Sequence, residues 1–298
     1  RRKAEPGLLA GLTRSAKYRI TEWGPNAFTS ALSRTMLARE LGSRGFRCPV
    51  HLVDHHEAHA AGAAWASGFD ACAVITIDGL GDGLSSTISA FRDGRLTRVA
   101  ASPARGSLGI FFEHVTALLN MRELEDEGKV MALADYAAPI DDAENPLIPW
   151  VRVRNGVIET EWPGHAMRRH LARVHWRSAN EQFAFLAQRA LEHAMVALAR
   201  DAVRLTGLSR LALAGGVVSN VKATRRMRHL PEVDGVSAFP HMGDGGLALG
   251  SAVVAAVQHG DRPSLDFTDL GFGHRYADAD IEAALRAAGI SGDRVEDI

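Results

Sequence analysis

The sequence is sparing in several respects, and each scarcity excludes something. It holds two cysteines, Cys48 and Cys72, in no CxxC pair, so it offers neither a disulfide scaffold nor a thiolate zinc site. No apolar run approaches the roughly 20 residues that a membrane-spanning helix needs. Neither sign of charge prevails: 34 Lys and Arg stand against 35 Asp and Glu. That balance provides no general field for drawing in nucleic acid or an anionic membrane. The opening RRKAEPGLLAGL begins with Arg1 and is neither a signal peptide nor a transit peptide with a clear cleavage site. The expected setting is reducing and cytoplasmic. What remains is an apolar fraction of 46% in 298 residues, enough for one large globular domain or two ordinary ones. The 13 histidines matter for where they fall.

Along the chain, Asn26 to Gly42 has helical spacing with a glycine stop, and Cys48 to Val53 reads as a short strand. Asp54 is a good N-cap for an alanine-rich helix from His55 to Ser67. His55 and His59, four apart, share one face of it and can chelate one metal ion, or be no more than solvated or capping histidines. Ala71 to Asp78 is a continuous apolar, β-branched run, hence a buried strand. It ends in DGLGDG, where Gly79, Gly81, Asp82 and Gly83 form either a phosphate-binding backbone or a mere turn. A further turn at Asp93-Gly94 predicts a three-stranded antiparallel unit.

Ser107 to Leu119 predicts an amphipathic helix, and Glu127 opens another that reaches about Tyr136. The prolines and acidic residues between Pro139 and Pro163 suggest a loop-rich insertion. A basic stretch from His165 to Arg177 reads as a solvated helix face, or as an anion contact through Arg168, Arg169 or Arg173. Gln182 to Leu205 is a long helix. Leu211 to Leu213 closes a strand that runs into Gly215-Gly216, a geometry that lets a nucleotide approach the backbone. Val236 to Phe239 is another strand. After it, Asp244 occupies a GDGG turn at a helix start, suited to a metal ligand, a phosphate contact or a cap.

Taken in order, VDHHEAHAAGA, TIDGLGDG, SLGIFFEHV, DEGKVMALA, LAGGVVSNVK and FPHMGDGGLALGSA resemble the carbamoyltransferase family, from about Val50 to about Leu285. That family includes the O-carbamoyltransferases of nodulation-factor, cephamycin and aminoglycoside biosynthesis. The resemblance implies an α/β fold of the actin/Hsp70/sugar-kinase (RNase H-like) type, in a domain similar to the tRNA threonylcarbamoyl transferase. It puts a metal site on His55, His59, Asp78 and Asp244, with ferrous iron expected and manganese or zinc as alternatives. It puts nucleotide contacts on Gly79, Gly81, Asp82, Gly83, Lys129, Gly215, Gly216 and Asn220.

The chemistry implied is ATP-dependent. Carbamoyl phosphate and ATP give carbamoyl adenylate in a domain resembling YrdC, and the metal-bearing domain passes the carbamoyl group to a hydroxyl of a small-molecule acceptor. His56, His114 and His241 are the candidates for the general base. Acceptor specificity is expected in the segment Pro139 to Arg177. Neither the opening GINxxHDAS hairpin nor the YrdC-like domain that the resemblance implies is found within residues 1–298. The expected division is therefore the tail of a first actin-like lobe over residues 1–68, a second lobe over 69–259 and a connector over 260–298. Two other readings share these features: a threonylcarbamoyl-transfer-like protein of the same fold, and a non-catalytic or partner-dependent metal- or nucleotide-binding subunit.

Overall fold

The run ACAVITID becomes the centre of the molecule. In the computed structural model, which describes residues 27–290 except 163, 266, 268 and 272, it forms strand β1 (Ala71–Gly81), buried along most of its length. The opening segment discussed above lies outside the described residues. β1 pairs antiparallel with β2 (Leu84–Arg92), and β2 with β3 (Arg95–Pro103). Asp82 and Gly83 have φ of 50° and 81°, and Asp93 and Gly94 52° and 68°. Positive φ at both central residues is the type I′ geometry whose twist matches the flanking strands. On its other edge β1 pairs in parallel with β6 (Arg210–Ala214), which pairs in parallel with β7 (Gly235–Ala238). The order β3-β2-β1-β6-β7, with helices against the sheet, is a lobe of the actin/Hsp70/sugar-kinase type, as expected.

The helices sort onto the two faces by the alternation of β1. Ala73, Ile75 and Ile77 belong to the main core, where they join α3 (Leu108–Leu118), α6 (Asn180–Thr206) and α7 (Val221–Arg228). Thr76 and Asp78 face the other way, toward α2 (His55–Ala66). α2 packs on α8 (Leu247–Gln258) through Ala61, Val253 and Val254. The two helices approach closely because Gly250 has no side chain: a Cβ there would stand 1.9 Å from the Ala58 carbonyl oxygen. α1 (Ala27–Ser43), α4 (Glu127–Leu133) and α5 (Gly164–Trp176) complete this part of the chain. Among the described residues, those up to Leu265 form one compact unit, and those after it form another that carries α9 (Asp278–Ala287).

Two local expectations are corrected. Cys48 to Val53 is not a strand; the segment is irregular. A strand exists only in a ladder, and Pro49 has no N–H to give one. The stretch from Pro139 to Pro163 is more ordered than a loop-rich insertion. It contains short 3₁₀ turns over Asp142–Glu144 and Ile148–Trp150, then a hairpin of β4 (Val151–Arg154) and β5 (Val157–Thr160). Its apolar Leu147 and Ile158 are buried in the core, and the Ile158 N–H donates to Ser102 Oγ at 2.9 Å. Asn155 and Gly156, with φ of 51° and 76°, make a third type I′ turn.

Candidate functional site

α2 begins where the sequence says it should. The Asp54 carboxylate accepts from the Glu57 N–H at 2.9 Å, so Asp54 is the N-cap. The same oxygen takes Arg98 Nη2 at 2.7 Å. A second carboxylate serves the same end of the helix: Asp82 Oδ2 accepts the His55 backbone N–H at 2.9 Å. These bonds fix the helix so that His55 and His59 both turn toward the end of β1.

There Asp78 is held from two sides. Its Oδ1 accepts the Gly216 N–H at 2.9 Å, and its Oδ2 lies 3.0 Å from His55 Nε2. Asp244 arrives from the turn before α8, with Oδ1 3.8 Å from His55 Nε2 and 3.5 Å from His59 Nε2. One donor atom from each of His55, His59, Asp78 and Asp244 falls within 4.8 Å of all the others. Ligands on a tetrahedral ion with bonds of about 2.1 Å stand about 3.4 Å apart, so the spacing fits a divalent cation. The state of His59 fits it too: its side chain is 1% exposed, and neither ring nitrogen has a hydrogen-bond partner. A buried imidazole without partners is costly unless something binds it. Two imidazoles and two carboxylates suit iron, manganese or zinc.

The electrostatics follow from the crowding. Burial opposes a charge on His55, but the hydrogen bond to Asp78 and the carboxylates of Asp78, Asp244 and Asp82 outweigh it, and its pKa is raised. Burial lowers that of His59, in spite of the attraction of Asp78 and Asp244. Asp78 stays well below the usual carboxylate range although it is buried, because His55 and the Gly216 N–H stabilise its charge.

The glycines of DGLGDG and AGGVVSN build this cluster. A Cβ on Gly81 would stand 2.1 Å from the His55 ring, so the ring occupies the space that a side chain would fill. Gly215 has a φ of 96°, and a Cβ there would meet the Ile77 carbonyl oxygen at 2.2 Å. Its N–H donates to the Met242 carbonyl at 2.7 Å, tying this loop to the turn that carries Asp244. Gly79 lies against the start of α3: a Cβ on Gly109 would come within 2.6 Å of the Gly79 Cα, and Ser107 both caps α3 and donates to the Gly79 carbonyl. Sequence reasoning assigned no role to Gly109 or Gly250. The signal for such residues is weak, since only a tertiary approach demands them.

The other expected residues fall as follows. Gly83 occupies the β1–β2 turn. The side-chain amide of Asn220 pairs reciprocally with that of Gln188, at 2.8 and 2.9 Å, and Oδ1 also caps Ala223 of α7. Lys129, largely exposed, pairs with Asp126 at 2.8 Å. His56 is fully buried, with Nδ1 2.7 Å from Thr76 Oγ1, and burial pushes its pKa down to about 4. His114 is buried in α3. His241 is exposed, its ring lying across Gly245 beside Asp244.

Residues 75–251 match the family model described as carbamoyltransferase, Kae1-like domain, second subdomain. The chain belongs to this carbamoyltransferase family. It is 28% identical over 283 residues to protein MJ1058 of Methanocaldococcus jannaschii, covering 88% of this chain and 46% of that one. It is 29% identical over 218 residues to nodulation protein NolO of Bradyrhizobium diazoefficiens, covering 71% and 39%. It is 28% identical over 235 residues to nodulation protein NolNO of Sinorhizobium fredii, covering 77% and 34%. The chain thus spans less than half the length of these relatives. Among solved structures, HypF of T. kodakarensis superposes with a TM-score of 0.50 at 16% identity, covering 79% of this chain and 40% of that one. Full-length HypF in a phosphate- and nucleotide-bound form gives 0.52 at 18% identity, covering 72% and 37%. At these identities the likeness speaks for the fold.

Proposed function

We propose that this chain is the metal-bearing part of an ATP-dependent O-carbamoyltransferase, with a small-molecule hydroxyl as acceptor. The observation that carries the reading is the cluster of His55, His59, Asp78 and Asp244 at the end of β1, with the buried His59 ring, which makes no hydrogen bond, at its heart. Family membership over residues 75–251 supports it. So does the likeness in fold to a HypF structure with phosphate and nucleotide bound.

In the proposed reaction, carbamoyl phosphate, water and ATP give carbamoyl adenylate, phosphate and pyrophosphate in a YrdC-like domain, and the second step takes place here. The acceptor oxygen bonds to the carbamoyl carbon, the bond from that carbon to the AMP phosphate oxygen breaks, and AMP leaves with the electron pair. A divalent ion, ferrous iron by preference over manganese or zinc, would act as a Lewis acid toward the phosphate or carbamoyl oxygen. The chain's own residues have separate tasks. His55, His59, Asp78 and Asp244 would hold the ion, and Asp82 braces His55 through its backbone N–H. The acceptor's proton goes to a histidine, and His241 is the candidate with open access beside the cluster. His56 is less suited, since its burial and its bond to Thr76 fit it to set the seat of α2. The nucleotide is read against the loops of Gly79–Gly83 and Gly215–Asn220, with Lys129 at the start of α4 toward phosphate. Two free thiols, Cys48 exposed and Cys72 buried, agree with a reducing cytoplasm. Among the described residues no helix is long and apolar enough to cross a membrane.

Metal content after anaerobic purification tests the site. About one divalent ion per chain is expected, and its loss in His55→Ala, His59→Ala and Asp244→Ala. A parent chain that holds no ion after reconstitution would overturn the four-ligand site. With the ion in place and a YrdC-like domain added, carbamoyl transfer from carbamoyl phosphate and ATP to a hydroxyl acceptor tests the reaction.

A further inference from the structure

A second site lies apart from the cluster, in the segment between the core and α6. A cavity of about 620 Å³ opens there between the 3₁₀ turns at 140–150, the C-terminal half of α5 and the first turns of α6. That volume is in the range of small-molecule pockets. One wall is apolar and aromatic: Trp150, Val174 and Leu186. His170 extends it, its ring stacked on Trp162 at 3.8 Å and 15° and set edge-on to Trp150 at 5.8 Å. The stacking holds the imidazole in one orientation, so the wall is a built surface.

The polar groups of the cavity are unbalanced in a telling way. Arg173 and Arg177 line it, and neither side chain has an ion-pair or hydrogen-bond partner among the described residues. Gln182 lines it as well, and its Nε2, screened from solvent, has no acceptor. The two guanidinium groups are thus unmet donors, with Glu144 the one unmet carboxylate. Such a set is satisfied by a ligand that accepts hydrogen bonds, and two guanidinium forks match a carboxylate or phosphate. Glu144, at the exposed side of the cavity, is the one carboxylate, which leaves the lining with a positive excess and provides one acceptor for a ligand hydroxyl or amine.

We propose that this cavity binds an organic anion: a molecule with an aromatic or otherwise apolar body seated on Trp150 and His170, and a carboxylate or phosphate gripped by Arg173 and Arg177. The inference does not depend on the carbamoyl-transfer reading, because none of the four clustered ligands takes part in it. It gives a role to the basic stretch of α5 through Arg173. Arg168 and Arg169 do not join it; they border a separate depression with Leu118 and Ala172.

Calorimetric titration of the whole chain with phenyl phosphate, and with benzyl alcohol as the uncharged counterpart, tests this. Phenyl phosphate is expected to bind at least about tenfold more tightly than benzyl alcohol, and the double variant Arg173→Gln with Arg177→Gln to lose about tenfold or more of that affinity. Both arginines are exposed, so the variant keeps its fold. Trp150→Leu is expected to weaken phenyl phosphate while leaving inorganic phosphate unchanged, and His55→Ala to leave both unchanged. Equal binding of the two aromatic probes, or unaltered affinity in the double arginine variant, would sink the proposal. Loss of binding in His55→Ala would place the anion at the cluster and also overturn it.

Discussion

A single methyl group provides the sharpest test of the cluster. In Gly81→Ala the new Cβ would fall on the His55 ring, 2.1 Å from its nearest carbon, well inside contact distance. Gly81 is paired with Leu84 of β2 at the tight turn, so the imidazole must swing away, at about 1 kcal/mol for a distorted rotamer. Thermal unfolding should move by only a few degrees, whereas metal content should drop about tenfold or more, as when the support of a ligand is lost. Full metal content in this variant would show that His55 is dispensable. The four candidate ligands were legible in the sequence through the HxxxH spacing, the strand ending in Asp78, the turn at Asp244 and the order of the motifs. The part played by Gly81 was not. The sequence marks it as a glycine suited to phosphate, but the ring that fills its space comes from a residue 26 positions earlier, and only the tertiary fold brings the two together.

Between elements, the comparable test is the crossing of α2 and α8. Gly250→Ala would press a methyl group against the Ala58 carbonyl, and the helices must part. A loss of about 1–3 kcal/mol is expected, the usual range for overpacking, read as a lower urea midpoint with an unchanged slope. Because α2 carries both histidines, metal affinity should fall with it, while Gly250→Ser should behave no better. The helices and the central meander were legible because their signals are local: Asp54 as a cap, the amphipathic spacing from Ser107 to Leu119, and Asp-Gly at each tight turn. The third hairpin carries an equally local signal, Asn155-Gly156, set among prolines and acidic residues that suggest a loop. Cys48 to Val53 failed for the opposite reason. Its residues have a strand's composition, and composition alone cannot provide a neighbouring strand.

At the scale of the whole molecule, acid should loosen one fastening. Asp142 joins the segment after α4 to α6 through Arg189 and His193, with Arg189 Nε at 2.9 Å and His193 Nε2 at 2.7 Å. The Arg189 hydrogen bond, with help from His193, holds its pKa down at about 2 against an ordinary 3.8. A carboxylate lowered in the folded state stabilises the fold above about pH 4, and that contribution is lost as pH falls through about 2. The group is partly exposed, so solvent screens the pairing. Asp142→Asn should cost about 0.5–1 kcal/mol at neutral pH, and the difference from the parent in urea unfolding should shrink to nothing between pH 4 and pH 2. A gap that persists in acid would mean that the pairing contributes by shape and not by charge. The topology also sets a sequence of events. The strands β1 to β3 close on one another through tight turns and can form early, on the timescale of hairpins. The parallel seam between β1 and β6 joins residues 138 positions apart, as does the bond from the Gly216 N–H to Asp78. Contacts so distant along the chain form slowly, because loop closure precedes any gain. The pocket around Asp78 is therefore among the last things a refolding chain acquires, and the ability to retain an ion marks the end of folding, not its beginning.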